Sequence, residues 1–282
     1  MGVEQKKLTS FDNEKDFFKH IRTIFFESDA FSNIEFIGIT GSVGRKEKKI
    51  FDKNLNDIDF IIVGELLDNN KKIALEKQLC ISTNTKYTDI TILSRNIFNI
   101  KSKKTEQYLF DIIHGNLNIF STPCFLNKIN KCRELKLNIK TNSILNLYLT
   151  RYFCLSINSN NLDSQFNRYQ LKKILNAYID SILILNDKYE TIVFEDKLKL
   201  IESYLTKSDF KNLKYLVVNY NSCDYLYLKK QTFYFYKNIK SIVVSNCKVD
   251  ILLLLIKCIF KPTKEKMILL IKLSTLIYLK EE

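Results

Sequence analysis

Two aspartates separated by a single residue interrupt an apolar segment of this 282-residue chain. The segment DIDFIIV, residues 57–63, has the β-branched and aromatic composition of a strand. Side chains two residues apart in a strand point to the same face, so we expect Asp57 and Asp59 side by side, with Ile58 and Phe60 turned towards the core. Two carboxylates held so close repel each other unless a cation compensates their charge. The spacing therefore predicts a divalent metal site.

A third carboxylate lies in the next predicted strand. The segment KYTDITIL, residues 86–93, alternates with a period of two and carries Asp89. If the two strands are neighbours, Asp89 joins Asp57 and Asp59. Carboxylate oxygens, waters and substrate phosphates are the ligands that Mg²⁺ prefers, and a pair of metal ions can clamp an in-line phosphoryl displacement. We therefore expect two Mg²⁺ ions here, with Mn²⁺ as an alternative.

A Gly-Ser pair supplies the second half of this hypothetical site. Gly41 and Ser42 follow an apolar segment at residues 34–39 that we interpret as a strand. Glycine permits the tight backbone that brings amides close to a phosphate. Ser42 adds a hydroxyl at the start of a predicted helix, where N–H groups attract anions. A triphosphate held there would present its α-phosphate to the metal ions.

This order of features resembles the DNA polymerase β-like nucleotidyltransferase superfamily. The segment GSVGRKE, residues 41–47, is similar to the start of the motif in its minimal, antibiotic-modifying and antitoxin-like members, and the resemblance covers roughly residues 34–93. It implies a small mixed sheet flanked by helices and two Mg²⁺ ions. It also implies transfer of a nucleoside monophosphate from an NTP, with ATP favoured, to a hydroxyl, with release of pyrophosphate.

The resemblance also implies a role for each site residue. Gly41 and Ser42 would hold the β- and γ-phosphates, and Asp57 and Asp59 would bind both metal ions. Asp89 would bind the catalytic metal and help to take the proton of the acceptor hydroxyl. The fourteen residues between Ser42 and Asp57 form a longer spacer than usual in the family, so an extra turn must fit within it.

Three cations are candidate nucleotide-binding residues. Arg45 would neutralise triphosphate charge, or be a solvated cation of the first helical turn. Lys172 and Lys173 lie on a predicted helix of the second domain, the kind of place from which relatives reach a γ-phosphate with a lysine. A solvated helix face is the alternative interpretation of both. His114 stands at a predicted helix end, and we interpret it as structural.

The surrounding pattern predicts an α+β protein. Helices are predicted over residues 13–28, 71–79 and 104–113, and strands over 34–39, 57–63, 86–93 and 116–120. After Pro123 the strand signals disappear, and helical periodicity continues through residues 143–157, 168–185, 195–206 and 208–218, while 220–246 fits either a helix or a strand. We therefore expect a nucleotidyltransferase domain with a small mixed sheet and flanking helices at 1–125, followed by a mostly helical domain at 126–282.

Composition limits the class of protein. The net charge of +13 makes nucleic acid a candidate partner, although lysine-rich composition also reflects AT-rich genomes. Seven scattered cysteines without a C-x-x-C pair, and only two histidines, argue for free core thiols rather than a zinc site. Without an apolar signal core in MGVEQKKLTS, we expect a cytoplasmic protein. Charges interrupt the C-terminal apolar runs, which predicts two buried helices with a turn at Lys261-Pro262 and no membrane span.

Three functions remain open from the sequence. The first is an enzyme that attaches a nucleotide, with AMP favoured, to a small molecule or a protein side chain. The second is a polymerising relative that makes cyclic or linear oligonucleotides or adds nucleotides to RNA, including tRNA. The third is a catalytically inactive module that binds nucleotides or a partner. Acceptor, base preference and oligomeric state are not predicted by these motifs.

Overall fold

The computed structural model describes residues 13–50, 57–100, 104–147 and 163–246, with side chains described up to residue 241. The chain divides into two compact units. Unit 1 comprises Met1–Leu137 with Thr191–Phe194, and unit 2 comprises Asn138–Glu190 with Glu195–Glu282. The long C-terminal apolar stretch and its predicted turn at Lys261-Pro262 lie outside the described residues.

Unit 1 alternates helices and strands. Its helices are α1 (Glu14–Glu27), α2 (Gly41–Gly44), α3 (Asn69–Thr83), α4 (Gln107–His114) and α5 (Pro123–Glu134), with a 3₁₀ turn at Arg95–Phe98. Its strands are β1 (Phe31–Thr40), β2 (Asp57–Leu66), β3 (Tyr87–Leu93), β4 (Lys104–Thr105) and β5 (Leu117–Ser121).

Four of these strands form one mixed sheet in the order β3-β2-β1-β5. Strand β1 is antiparallel to both β2 and β5, whereas β2 and β3 are parallel. A parallel pair needs a long crossover, and α3 provides it between β2 and β3. This arrangement confirms the expected α+β fold class with a small mixed sheet and flanking helices.

The main core of unit 1 lies between one face of the sheet and helices α1 and α3. Ile58, Phe60 and Ile62 project from β2 into this core and are at most 1% exposed. Phe60 meets Phe25 of α1 edge to face, with ring centroids 5.5 Å apart. Each such side chain contributes about 1.5–3 kcal/mol by burial, which holds the register of β2. The intervening aspartates are consequently on the opposite face.

Unit 2 is mostly helical. After a short strand, β6 (Asn138–Ile139), it contains α6 (residues 142–147), α7 (Gln165–Leu185), α8 (Phe194–Ile201, which begins at the junction with unit 1), a 3₁₀ turn (Glu202–Tyr204), α9 (Lys207–Asn219) and α10 (Tyr225–Asn246). Helix α7 is the central element and packs against α9 and α10. Its Tyr178 contacts Phe235 of α10, with ring centroids 5.0 Å apart.

The segment 220–246, which the sequence left open between helix and strand, forms the end of a turn and then a 22-residue helix. Its buried residues recur at alternating intervals of three and four, a helical seam that faces α7. The aromatic and β-branched residues that suggested a strand are divided between this seam and the outer face. The members of the seam are Tyr225, Leu228, Thr232, Phe235 and Ile239.

The remaining sequence predictions have mixed outcomes. The predicted strands and helices of residues 13–120 are present with shifted ends, whereas helix α5 and strands β4 and β6 were missed. Cys132 and Cys223 are buried as expected, but Cys124 is exposed, so the prediction of a core thiol is wrong for it. Within the described ranges, no helix combines the length and apolarity needed to cross a bilayer.

A buried lysine ties α8 to the rest of unit 2. Lys197 is 5% exposed. Its Nζ donates hydrogen bonds to Asp180 Oδ1 at 2.8 Å and to the Tyr189 hydroxyl at 2.7 Å. The ammonium also lies 4.3 Å from the centroid of the Tyr189 ring. An ion removed from water this completely depends on these contacts.

We expect Lys197→Met to lower the free energy of unfolding by about 3 kcal/mol, because the largely buried Asp180 carboxylate loses its ammonium partner. The double change Lys197→Met/Asp180→Leu should recover much of this loss, since no charge is then buried. Chemical denaturation measures both values. The matched control is Lys199→Met on the same helix, where the side chain is 78% exposed. Equal losses for the two lysines would contradict the assigned role of Lys197.

Candidate active site

Two neighbouring strands bring the predicted carboxylates into one row. Asp59 lies directly opposite Asp89 on the parallel neighbour β3, and Thr40 at the end of β1 lies opposite Asp59. Neighbouring strands are about 4.8 Å apart, and residues paired across them share a face. Asp57, Asp59 and Asp89 therefore lie together on the face opposite to Phe60. The structure thus meets the condition that the strands of these aspartates are neighbours.

The same register places an aromatic residue beside the carboxylates. Tyr87 lies opposite Asp57 and is 71% exposed. Sequence reasoning did not single it out, although its place two residues before Asp89 predicts the same face. An exposed ring next to this row is a surface on which a base could stack.

Helix α3 holds the strand that carries Asp89. Glu76 Oε1 accepts a hydrogen bond from the backbone N–H of Ile90 at 3.1 Å, and it also pairs with Lys72. Asp68 caps the N-terminus of α3, and its side chain accepts hydrogen bonds from Asn70 N and Lys71 N. The residue that follows Asp89 is therefore tied to a capped, core-packed helix, which limits how far Asp89 can move along the sheet.

Gly41 is in direct contact with the central carboxylate. Its φ of +66° lies in the left-handed region, which side chains rarely tolerate. A Cβ at this position would also lie 2.1 Å from Asp59 Oδ2, far inside van der Waals contact. Glycine is thus required twice, once for the turn out of β1 and once for the approach of Asp59. Gly41 and the carboxylate row form one constellation.

The helix predicted after Gly41 is only one turn long. Helix α2 comprises Gly41–Gly44, and its chain then turns so that Glu47 N and Lys48 N donate to the carbonyl oxygen of Ser42 at 2.9 and 3.2 Å. Four residues are too few to build a full helix dipole. Any attraction of this turn for a phosphate would come from individual N–H groups and from the half-buried Ser42.

A close contact between Gly44 and Gly115, which sequence reasoning missed, holds this turn in place. A Cβ on Gly44 would lie 2.2 Å from the carbonyl oxygen of Gly115 and 2.7 Å from that of Ile39. The turn after Ser42 therefore makes a close backbone contact with the C-terminal end of α4. In the sequence, this contact is indicated by nothing more than a glycine at the end of GSVG and a glycine after His114. His114 is the last residue of α4, as predicted.

The predicted cations are engaged within their own units. Arg45 forms a two-pronged pair with Glu47, with Nε–Oε1 at 2.8 Å and Nη2–Oε2 at 3.2 Å. Lys172 and Lys173 lie on α7 in unit 2. Their Nζ atoms are 4.5 and 4.6 Å from the ring centroids of Tyr220 and Tyr169. The structure thus brings Gly41 together with the carboxylates. The three cations instead contact a carboxylate or an aromatic ring of their own unit.

The donor set suits a hard divalent cation, since all three side chains offer carboxylate oxygen. Among the residues that the structure describes, no three His, Cys, Asp or Glu side chains are already grouped as metal ligands. The fit to Mg²⁺ therefore lies in the backbone register of Asp57, Asp59 and Asp89, and their roles as ligands stay a prediction.

Comparisons with known proteins add little. No family model matches the chain, and no curated protein matches it. Among solved structures, a toxin–antitoxin crystallised with AMP-PNP matches with a TM-score of 0.28 at 13% identity, over 44% of this chain and 90% of that one. A mutant of the toxin–antitoxin MntA–HpeT matches with a TM-score of 0.27 at 13% identity, over 42% and 88%. Likenesses this low decide neither family nor function.

We expect Gly41→Ala to destabilise unit 1 by about 1–3 kcal/mol, because the new methyl group strains the backbone and displaces the Asp59 carboxylate. Ser42→Ala is the matched control, since it changes the neighbouring residue of the same turn without requiring a positive φ. Thermal unfolding of the two variants provides the comparison. If both unfold at the same temperature as the unchanged protein, Gly41 and Asp59 are not in the contact described.

The stability of unit 1 should fall on mild acidification because of His114. Burial, and then the nearby Arg133, lower the pKa of His114 from its ordinary value of 6.5. The folded state therefore favours the neutral ring, so its stabilisation is complete above the unfolded pKa and is lost as pH falls through the lowered folded pKa. Denaturation at pH 7 and at pH 5 should show a smaller loss in His114→Phe than in the unchanged protein. An equal loss would contradict this assignment.

Proposed function

We propose that unit 1 is a metal-dependent nucleotidyltransferase. It would transfer a nucleoside monophosphate from an NTP, with ATP favoured, to a hydroxyl group of a small molecule or a protein. The observation that carries the proposal is the pairing of Asp59 with Asp89 across parallel strands while Asp59 also contacts Gly41. Carboxylates in a row beside a glycine turn are the arrangement that a metal-bound triphosphate needs.

The reaction has a simple balance. The acceptor oxygen attacks the α-phosphorus, the bond from that phosphorus to the bridging oxygen breaks, and pyrophosphate leaves with the bond electrons. Asp89, the exposed member of the row, would take the proton of the acceptor hydroxyl. Two Mg²⁺ ions held by Asp57, Asp59 and Asp89 would supply charge neutralisation at the attacking and leaving oxygens.

The remaining residues would bind the triphosphate. Gly41 and Ser42 would contact the β- and γ-phosphates through the backbone and the serine hydroxyl. Arg45 would exchange the Glu47 carboxylate for phosphate oxygens, a substitution that keeps its charge-assisted hydrogen bonds. Lys172 and Lys173, which lie on α7, stay predicted nucleotide-binding residues.

The test uses the full chain with Mg²⁺ and each of the four α-labelled NTPs in turn. Reactions run alone and with total RNA, and equilibrium binding of each NTP is measured in parallel. We expect Asp57→Asn/Asp59→Asn to abolish label transfer and to weaken Mg²⁺-dependent NTP binding by at least tenfold, because the metal ligands lose their charge. The matched control Glu195→Gln/Glu202→Gln removes the same charge from exposed positions of unit 2.

The products distinguish the acceptors. Labelled cyclic or linear oligonucleotides formed from NTP alone would make the protein an oligonucleotide or cyclic-nucleotide synthase, and label in RNA would make RNA the acceptor. Metal-dependent binding without turnover would leave a small-molecule or protein acceptor, or an inactive module. Absence of NTP binding in the unchanged protein would overturn the assignment of Asp57, Asp59 and Asp89.

A further inference from the structure

The outer face of α10 alternates aromatic rings and lysines. Exposed aromatic or aliphatic pairs occupy positions 226–227 and 233–234, and exposed lysines occupy 230 and 237. The repeat is seven residues, so each lysine lies roughly 5 Å along the helix axis from the neighbouring ring level. We call this surface the α10 outer face. Its members are Leu226, Tyr227, Lys230, Phe233, Tyr234 and Lys237, of which Leu226 is 66% exposed and Tyr234 is 44% exposed.

Two of the rings are held in place while their surfaces remain accessible. The Tyr227 hydroxyl donates to Asn212 Oδ1 of α9 at 2.9 Å, and the Tyr234 hydroxyl donates to Asp209 Oδ1 at 3.3 Å. Asn212 in turn donates to Gln231 Oε1 at 2.8 Å. Anchored rings lose little conformational entropy when a planar group stacks on them. The α10 outer face is thus preorganised for flat ligands.

The charge around these rings is mainly positive. Residues 207–246, which contain α9 and α10, carry seven lysines and two acidic residues, Asp209 and Asp224. Asp209 belongs to α9, and its carboxylate accepts hydrogen bonds from the Tyr234 hydroxyl at 3.3 Å and from the Thr206 hydroxyl at 2.9 Å. A surface of fixed rings separated by cations is complementary to a chain of stacked bases separated by phosphates.

Two other occupants fit this surface less well. A second copy docked face to face would bring Lys230 and Lys237 near the same lysines of its partner, because a two-fold interface pairs each patch with itself. An anionic bilayer would need a continuous apolar strip to insert, whereas lysines interrupt this one at every second turn.

We infer that the α10 outer face binds single-stranded nucleic acid, with bases stacked on Tyr227, Phe233 and Tyr234 and phosphates paired with Lys230 and Lys237. This binding activity is separate from nucleotidyl transfer, since every residue that carries it belongs to α9 and α10.

The experiment measures the anisotropy of labelled oligo(U) and oligo(dT) of about 20 nucleotides with the full chain, between about 50 and 200 mM salt. We expect binding whose logarithmic salt slope falls by about 1.4 in Lys230→Gln/Lys237→Gln, since two single-strand phosphate contacts are lost. The matched control Lys71→Gln/Lys77→Gln removes the same charge from exposed positions of α3 and should keep the original slope.

Aromatic variants separate stacking from structure. We expect Tyr227→Leu/Tyr234→Leu to weaken binding by about tenfold or more, because the stacking surfaces are removed. Tyr227→Phe/Tyr234→Phe keeps the rings and should retain most of the affinity. Thermal unfolding checks that each variant is folded. Asp57→Asn/Asp59→Asn should bind the oligonucleotides like the unchanged protein, so failure of nucleotidyl transfer and failure of this inference are distinguishable.

Four outcomes would overturn the inference. The first is the absence of oligonucleotide binding. The second is an equal change of salt slope in the α10 and α3 lysine variants. The third is preferential binding to phosphatidylserine vesicles, and the fourth is a concentration-dependent dimer that Tyr227→Leu/Tyr234→Leu abolishes.

Discussion

The contact between the Gly41 backbone and the Asp59 carboxylate is the constraint on which the rest of unit 1 depends. It requires the antiparallel register that sets Thr40 opposite Asp59, a left-handed turn at the end of β1, and the absence of a side chain at that turn. A shift of β2 by one residue would move Asp59 into the core and Phe60 onto the face that now carries the carboxylates. The burial of Phe60 against Phe25 therefore also fixes the carboxylate row.

One face of β2 stabilises unit 1, and the other carries the candidate metal ligands. The core face is dry and packed by α1 and α3, which provide the free energy that holds the strand. The other face begins with the half-buried Asp57 and Asp59, whose carboxylates repel each other, and continues with the buried Ile61 and Val63. The repulsion between the aspartates does not disrupt the sheet. The turn at Gly41 is set by backbone geometry, and Glu76 anchors the neighbouring strand β3. The local cost at the aspartates is offset by packing on the opposite side of the same strand.

Local pattern was enough to predict the four strands of the mixed sheet, the shared face of Asp57 and Asp59, and the glycine turn, because each follows from a period of two or from a residue type. The pairing of β2 with β3 was only a condition in the sequence, and the structure meets it. The approach of Gly44 to Gly115 joins positions far apart in the chain, so no periodicity could reveal it. The Arg45–Glu47 pair arises in a turn where Lys46 has a φ of +61°, outside any regular element. For α10, the helical seam prevailed over β-propensity because tertiary burial decides between them.

Glu76 also affects how readily this protein aggregates in a concentrated solution. Strand β3 is at the edge of the sheet, where unpaired backbone groups offer a template for strands of other molecules. Glu76 accepts the hydrogen bond of the Ile90 N–H, so this donor is no longer available to a strand of another molecule. Its carboxylate also places a negative charge at the edge where such a strand would pair. The side chain that steadies β3 thereby also protects the sheet against edge-to-edge aggregation.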